Sequence, residues 1–207
     1  MTIISMSGLI GSGKDTVAEQ LITKYGFSRM SFADTLKDAV ATVFGWDREM
    51  VEGRTPEARQ WREQVDPWWA KRLEVPGLTP RWVLQFWGTE VCRNGFHDDI
   101  WIASLERKLM NCADQNIVVS DSRFINELSM LANAGALTVS VIRGDRPTWW
   151  DTAVAAQHDV GSEKSMHMLG IHRSEWDWAG YEFDVTLRNN GTLDQLHHAV
   201  DNLMNRQ

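Results

Sequence analysis

One stretch near the start of the chain restricts its fold more than any other: Ile3-Ile4-Ser5-Met6-Ser7-Gly8-Leu9-Ile10-Gly11-Ser12-Gly13-Lys14-Asp15-Thr16. A short apolar run ends at Gly8, a glycine-rich turn follows, and a helix-spaced segment opens with Val17, Ala18 and Leu21. Gly8, Gly13 and Lys14 fill every position of the phosphate-loop pattern G-x-x-x-x-G-K-[ST] except the last. Glycines at such a turn let successive backbone N–H groups converge on a phosphate. The opening helix points its positive dipole end at the same anion. Lys14 is expected to be a mobile, solvent-facing ammonium that follows a transferred phosphoryl group. At the last position Asp15 stands where a Ser or Thr hydroxyl would ligate Mg²⁺, and Thr16 comes one residue later. The carboxylate would hold the ion directly, through water, or not at all.

Taken in order, residues 2–7, 27–32, 116–119, 137–142 and 183–187 read as strands, with helical patterns between them. The first helix covers residues 15–25 and is closed by Gly26. The second covers 36–44, with Asp34 or Thr35 as its cap. Residues 47–70 are polar and helical in pieces, and Pro76, Gly77 and Pro80 mark a loop. Helices are expected over 81–94, closed by Gly95, over 98–113, over 124–133, and over 193–204 with Thr192 as cap. Residues 144–180 show no clean period, and an irregular stretch of that length is usually functional or mobile. The alternation of strand and helix predicts an α/β fold, a five-stranded, doubly wound parallel sheet in one domain.

The chain of 207 residues is long enough for one such domain with insertions. A net charge of -7 argues against a nucleic-acid-binding surface. Cys92 and Cys112 form no C-x-x-C pair and read as free thiols. No leader precedes the first strand and no apolar run approaches membrane-spanning length, so a cytoplasmic protein with no membrane partner is expected. The 11 tryptophans are expected in core or lid packing.

A second constellation is Asp121, Arg123 and Glu127. The strand ending in Ser120-Asp121 places a carboxylate at the carboxyl end of a strand beside the first, where ligands of such sheets bind. Asp121 would hold Mg²⁺. Arg123 would fork onto a substrate phosphate, with Glu127 orienting it or accepting a sugar hydroxyl.

These motifs resemble the deoxynucleoside monophosphate kinases of tailed phages, of the type found in phage T4. The resemblance runs through Ser12-Gly13-Lys14-Asp15-Thr16, Leu36-Lys37-Asp38-Ala39, and Arg81 with Gln85 and Gly88-Thr89. It continues through Trp101, Asp121-Ser122-Arg123 with Glu127, His172-Arg173-Ser174-Glu175, and Asn189-Asn190-Gly191. It implies a nucleoside monophosphate kinase-like fold with a helical substrate-binding insertion at about 46–95 and a lid at about 144–180. It implies transfer of the ATP γ-phosphoryl to a deoxynucleoside monophosphate in phage DNA precursor synthesis, with ATP and Mg²⁺ as cofactors. Gly11, Ser12, Gly13, Lys14, Asp15, Thr16 and Asn190 would bind the donor, and Asp15 and Asp121 the metal. Leu36, Lys37, Arg81, Gly88, Thr89, Trp101, Asp121, Arg123 and Glu127 would surround the acceptor. Lys37 and Arg81 would neutralise its phosphate, Gly88 would allow close approach of its base, and Trp101 would stack on it or line its pocket. Lys14, Arg123, Asp121 and Arg143 would carry the reaction, with Arg146 and Arg173 as further lid arginines and His172 with Glu175 in a lid hydrogen bond. Residues 47–77 are shorter than in that family, leaving Arg54, Arg59 and Arg62 as unplaced candidates. Two other readings stay open: a kinase for another acceptor, such as a dephospho-coenzyme-A-like molecule or a hydroxymethylated base in phage DNA, and a non-catalytic nucleotide-binding switch. A homodimer is one open assembly state.

Overall fold

The computed structural model describes residues 1–112 and 115–205. Its five strands, β1 (Ile3–Ser7), β2 (Ser28–Met30), β3 (Ile117–Val119), β4 (Leu137–Ile142) and β5 (Val185–Arg188), form one parallel sheet in the order β2-β3-β1-β4-β5. The expected α/β class and five-stranded parallel sheet are therefore present. β1 is buried along its whole length because it lies between β3 and β4, with Ile4 opposite Val118 on one side and Leu137 on the other. Burial of all five of its residues, Ser5 and Ser7 included, is the signature of a strand covered on both faces.

The helices in chain order are α1 (Lys14–Tyr25), α2 (Asp34–Phe44), α3 (Arg48–Glu52), α4 (Pro56–Arg62), α5 (Pro67–Arg72) and α6 (Pro80–Phe86). A π-helical stretch, Trp87–Asn94, continues α6, and α7 (Ile100–Leu109), α8 (Ile125–Asn133), α9 (Trp150–Ala155), α10 (Val160–Met168) and α11 (Leu193–Met204) complete the set. The chain forms two compact units, Met1–Ser31 with Glu106–Gln207, and Phe32–Leu105.

In the first unit, α1 and α11 cover one face of the sheet. Val17, Ala18 and Leu21 with Leu196, Val200 and Leu203 pack on Ile4, Met6, Val118, Val139, Val141 and Leu187. Each fully buried side chain of this size contributes roughly 1.5–3 kcal/mol. Thr192 and Gln195 cap α11 reciprocally, as expected for its start. A second cluster joins Leu128 of α8 to Trp150, Ala153, Met166, Trp176 and Trp178.

The second unit is built on aromatic packing. The Phe44 ring meets Trp46 at 4.5 Å, Trp69 at 4.9 Å and Trp87 at 5.5 Å, and Trp46 meets Trp61 edge-on at 5.7 Å. Two of these indoles find acceptors: Trp46 donates to Asp66 Oδ2 and Trp69 to the Phe44 carbonyl. Nine of the tryptophans, 46, 61, 68, 69, 87, 149, 150, 176 and 178, thus belong to these aromatic clusters or to the second core of the first unit. Three short helices open with a cap residue followed by proline: Thr55-Pro56, Asp66-Pro67 and Thr79-Pro80. The side chain accepts a first-turn N–H, and proline supplies the helical φ without wasting a donor.

Five sequence expectations are corrected. Pro80 opens α6 rather than lying in the loop, because Thr79 caps it. The helix expected over 81–94 changes to π geometry after Phe86, and Gly95 ends it at φ -87, without the left-handed turn. The residue before α2 is Ala33, so Asp34 enters the first turn, where its charge complements the dipole, instead of capping. Residues 144–180 contain α9, α10 and a 3-10 turn, Arg173–Glu175. α9 is six residues long, too short to show a period, and α10 buries only Met166, so no apolar stripe marks it. The helix expected over 98–113 ends at Leu109, and its last expected residue, Ala113, lies outside the described residues.

Candidate active site

The phosphate loop connects β1 to α1. Gly11 and Gly13 adopt φ of 79 and 99, a region that a side chain with a Cβ disfavours. At Gly13 a Cβ would collide with the Asn189 side-chain amide, and at Gly8 it would lie 2.5 Å from both Ser12 Oγ and the Val141 carbonyl. The glycine pattern is thus demanded by the packing of the loop as well as by its backbone angles. Asn189, at the end of β5, donates its amide to the Ser12 carbonyl at 2.9 Å. Its neighbour Asn190, the residue expected at the donor site, accepts from the Gly144 N–H at 2.8 Å.

Lys14 is buried, 9% exposed, rather than solvent-facing, and its ammonium lies 3.4 Å from the Leu9 carbonyl. Burial pushes its pKa below the ordinary lysine range, and the Arg123 guanidinium pushes the same way; Asp15, Glu175 and Asp121 pull it back. A second cation and three carboxylates therefore act on Lys14 at the phosphate loop. The helix beginning at Lys14 has no side-chain cap, so its first N–H groups stay available to an anion.

β3 delivers Asp121 beside the loop. Ser7 Oγ donates to the Ser122 carbonyl at 2.7 Å, and the hydroxyls of Ser5 and Ser122 share a bond of 2.8 Å, fixing the turn after β3 onto β1. Asp121 accepts the Ser31 hydroxyl at 2.5 Å. The Arg123 guanidinium donates to Glu175 Oε1 at 2.9 Å. Glu127, 3% exposed, accepts the backbone N–H groups of Arg123 at 2.8 Å and Phe124 at 3.3 Å. Glu127 thus orients Arg123 through the main chain, by capping α8. Asp15 is mostly exposed, 3.8 Å from Arg29. Arg143 is exposed and Arg146 lies over the Trp150 ring at 4.6 Å. Arg173 is held by Asp177 at 2.6 Å, and the His172 ring caps the 3-10 turn through Ser174.

Among the described residues no group of three or more His, Cys, Asp or Glu is arranged to hold a metal ion. Asp15 and Asp121, the two carboxylates expected at a metal, both act on the Lys14 ammonium; a magnesium ion bound by one or two carboxylates and otherwise by phosphates and water needs no such group of three.

In the second unit, Lys37 pairs with buried Glu52 at 2.9 Å, and Arg48 meets the other oxygen of Glu52 at 2.6 Å. Burial alone would raise the Glu52 pKa, but Lys37 and Arg48 override it and bring it to about 2. Arg54 approaches Glu52 at 3.9 Å, the Arg59 side chain donates to the Arg54 carbonyl, and Arg62 packs over Gly53. Arg81 pairs with Glu63 at 3.1 Å. Trp101 is buried and donates its indole N–H to the Gly88 carbonyl at 2.8 Å. Thr89 is buried, and a Cβ on Gly88 would meet Leu36 at 2.9 Å, so Leu36, Gly88 and Trp101 are packed together. Asn189, Glu175, Ser31 and Glu52 were not singled out as orienting residues from the sequence. For Glu175 the signal was its place in the His172–Glu175 segment, and for Asn189 its place beside Asn190.

No family profile matches the chain. It is 28% identical over 214 residues to a protein of Acanthamoeba polyphaga mimivirus named "Putative deoxynucleotide monophosphate kinase", across 97% of this chain and 94% of that one. Similar solved structures include TT1252 from Thermus thermophilus, with 18% identity, TM-score 0.45 and 99% and 97% of the two chains covered. A sugar kinase from Janibacter sp. HTCC2649 has 13% identity, TM-score 0.45 and coverage of 99% and 95%. Shikimate kinase from Bacteroides thetaiotaomicron has 9% identity, TM-score 0.43 and coverage of 99% and 98%. The structural likenesses are loose, and the fold assignment rests on the chain's own strand order and phosphate loop.

Proposed function

We propose that this chain is an ATP-dependent phosphotransferase that transfers the γ-phosphoryl group of ATP to a deoxynucleoside monophosphate. The observation that carries the reading is Lys14, buried in a glycine loop and electrostatically coupled to Arg123 and Asp121. The name of the mimivirus relative, which aligns with nearly the whole chain, supports the choice of acceptor.

The residues present account for the chemistry without a general base. The attacking group is a phosphate oxygen already ionised at neutral pH, so the protein has to position and neutralise rather than remove a proton. Backbone N–H groups from Gly11 to Thr16 and the Lys14 ammonium would hold the donor's phosphates. Burial strengthens that contact, because the ammonium is little screened by water. Arg123, fixed by Glu127 at its backbone and by Glu175 at its guanidinium, would fork onto the phosphate oxygens between donor and acceptor. Asp121 and Asp15 would hold Mg²⁺, which when bound neutralises phosphate charge.

The test is ATP consumption by the purified chain against a panel of deoxy- and ribonucleoside monophosphates, dephospho-coenzyme A and hydroxymethyluracil-containing DNA. Formation of ADP and a deoxynucleoside diphosphate is expected. Turnover confined to another acceptor would replace the substrate, and ATP binding without turnover on any of them would replace the enzyme by a switch.

A further inference from the structure

β1 carries two hydroxyls where a buried parallel strand is ordinarily apolar: Ser5 and Ser7, 0% and 1% exposed. Ile4 and Met6 pack into the core with α1 and α11, so the pleat turns both serines to the other face. A buried hydroxyl costs free energy unless it is hydrogen-bonded. Alanine would cover that face with no polar atom at all. The two serines instead grip one residue beside the phosphate loop. Ser5 Oγ shares a bond of 2.8 Å with Ser122 Oγ, and Ser7 Oγ donates to the Ser122 carbonyl at 2.7 Å.

That carbonyl belongs to the peptide joining Ser122 to Arg123. The N–H of the same peptide donates to Glu127 Oε2 at 2.8 Å. A peptide group is planar. Holding its oxygen from β1 and its N–H from α8 therefore fixes the plane from which the Arg123 side chain departs. The Glu127 bond alone would leave that plane free to tilt about its N–H, and Ser7 removes the freedom. Two residues before Arg123, the Asp121 carboxylate accepts the Ser31 hydroxyl at 2.5 Å. Ser31 is 3% exposed and directly follows β2, which lies on the opposite side of β3 from β1. Asp121, Ser122 and Arg123 are thus held by hydroxyls from both sides of β3. Neutral donors do this without adding a charge beside Lys14 and Arg123.

We propose that Ser7 and Ser31 are positioning residues with separate targets: Ser7 fixes Arg123 for the acceptor phosphate, and Ser31 fixes Asp121 for the donor nucleotide with its Mg²⁺. The proposal rests on the phosphoryl-transfer reading above. Each serine acts only through the residue it holds. Removing one should therefore weaken one side of the reaction and spare the other.

The experiment combines calorimetric titration and kinetics on the full chain. Ser7→Ala should weaken binding of a deoxynucleoside monophosphate in the presence of ADP, and lower kcat/KM for it, by about threefold to tenfold. ADP affinity should hold. In an Arg123→Ala background Ser7→Ala should add no further loss, since the serine acts through that arginine. Ser31→Ala should show the reverse pattern. The gain in ADP affinity on adding Mg²⁺ should shrink by about threefold or more, monophosphate affinity should hold, and the effect should vanish in an Asp121→Asn background. Where an alanine variant does not fold, cysteine, which fills the same space with a weak donor, takes its place. Losses that persist in the Arg123→Ala and Asp121→Asn backgrounds, or that fall equally on both ligands, overturn the proposal, because a general loosening of the sheet acts that way. Folded serine variants indistinguishable from the natural chain overturn it as well. A natural chain that binds ADP and the monophosphate but transfers nothing sinks the transfer reading alone, since both titrations stay readable.

Discussion

Asn189 donates its side-chain amide to the main-chain carbonyl of Ser12 at 2.9 Å, tying the end of β5 to the phosphate loop across the sheet. Its own backbone N–H is held by the Ile142 carbonyl at 2.8 Å, so the amide is presented from a fixed position. It also occupies the space a Cβ on Gly13 would need. Asn189→Ala removes a buried bond of about 1 kcal/mol and leaves the Ser12 carbonyl without that donor. ATP affinity should fall about fivefold or more. Asn190→Ala, which touches only the exposed Gly144 N–H, should change it less than about twofold. Titration of both variants with ATP checks the contrast, and equal losses would show that the turn acts as a whole.

Lys14 joins function to a local cost in stability. Its folded pKa lies below the unfolded value, because of burial first and Arg123 second. A charged group with a lowered pKa opposes folding below that folded pKa, so at neutral pH the ammonium is a burden that the loop tolerates. Lys14→Met should therefore unfold at a temperature no lower than the natural chain while phosphoryl transfer falls by about a hundredfold or more. Thermal unfolding and turnover on the same preparation check both halves. A folded variant with near-normal turnover would remove Lys14 from the chemistry.

Glu52 anchors the second unit. Its carboxyl is 6% exposed and accepts from Lys37 and Arg48. Arg48 keeps Asp38 at 2.6 Å, but Glu52→Gln leaves the largely buried Lys37 ammonium without its counter-charge, which should cost about 3 kcal/mol or more. In a chain of this size that is roughly 6–12 °C in Tm. The pH dependence has a definite sign. The folded pKa of about 2 lies below the ordinary value of 4.5, so the stabilisation is fully present above about pH 4.5. It is lost as pH falls towards 2. Denaturant unfolding between pH 7 and pH 3 should show the gap between the natural chain and Glu52→Gln narrowing at the acid end.

Local patterns revealed the elements whose residues act on their near neighbours. The loop from Gly8 to Lys14 and the Thr192–Gln195 cap could be read because backbone angles and caps are decided within a few residues. The sheet could be read because short strand-like runs such as Ile3–Ser7, Ile117–Val119 and Leu137–Ile142 alternate with helical patterns. What stayed hidden depends on tertiary pairing. Asn189 and Asn190 are the same residue side by side, and only the strand register decides which one reaches Ser12. Glu52 lies in a polar stretch with several other acids, and its importance comes from burial against Lys37. Glu175 is distinguished by the Arg123 guanidinium, 52 positions away. α10 escaped notice because it presents almost no apolar face.

Arg123 offers the sharpest test of the site. Its backbone is fixed by Glu127 and its guanidinium by Glu175, so the side chain is held in place before any ligand arrives. A charge-assisted hydrogen bond to phosphate contributes roughly 1.5–3 kcal/mol. Arg123→Ala should therefore lower kcat/KM for the monophosphate about tenfold to hundredfold while ATP affinity holds. Arg123→Lys should recover only part of the loss, because an ammonium cannot form the planar fork. Glu175→Gln keeps an acceptor for the guanidinium but removes the negative charge, so its effect on kcat/KM should be smaller than that of Arg123→Ala. It should also be absent in the Arg123→Ala background, since the two residues act through one contact. Measuring both kinetic constants and ATP affinity for the single and double variants separates the possibilities. Loss of ATP affinity with an unchanged KM for the monophosphate would move Arg123 to the donor side. Additive losses in the double variant would mean that Glu175 acts on something other than Arg123.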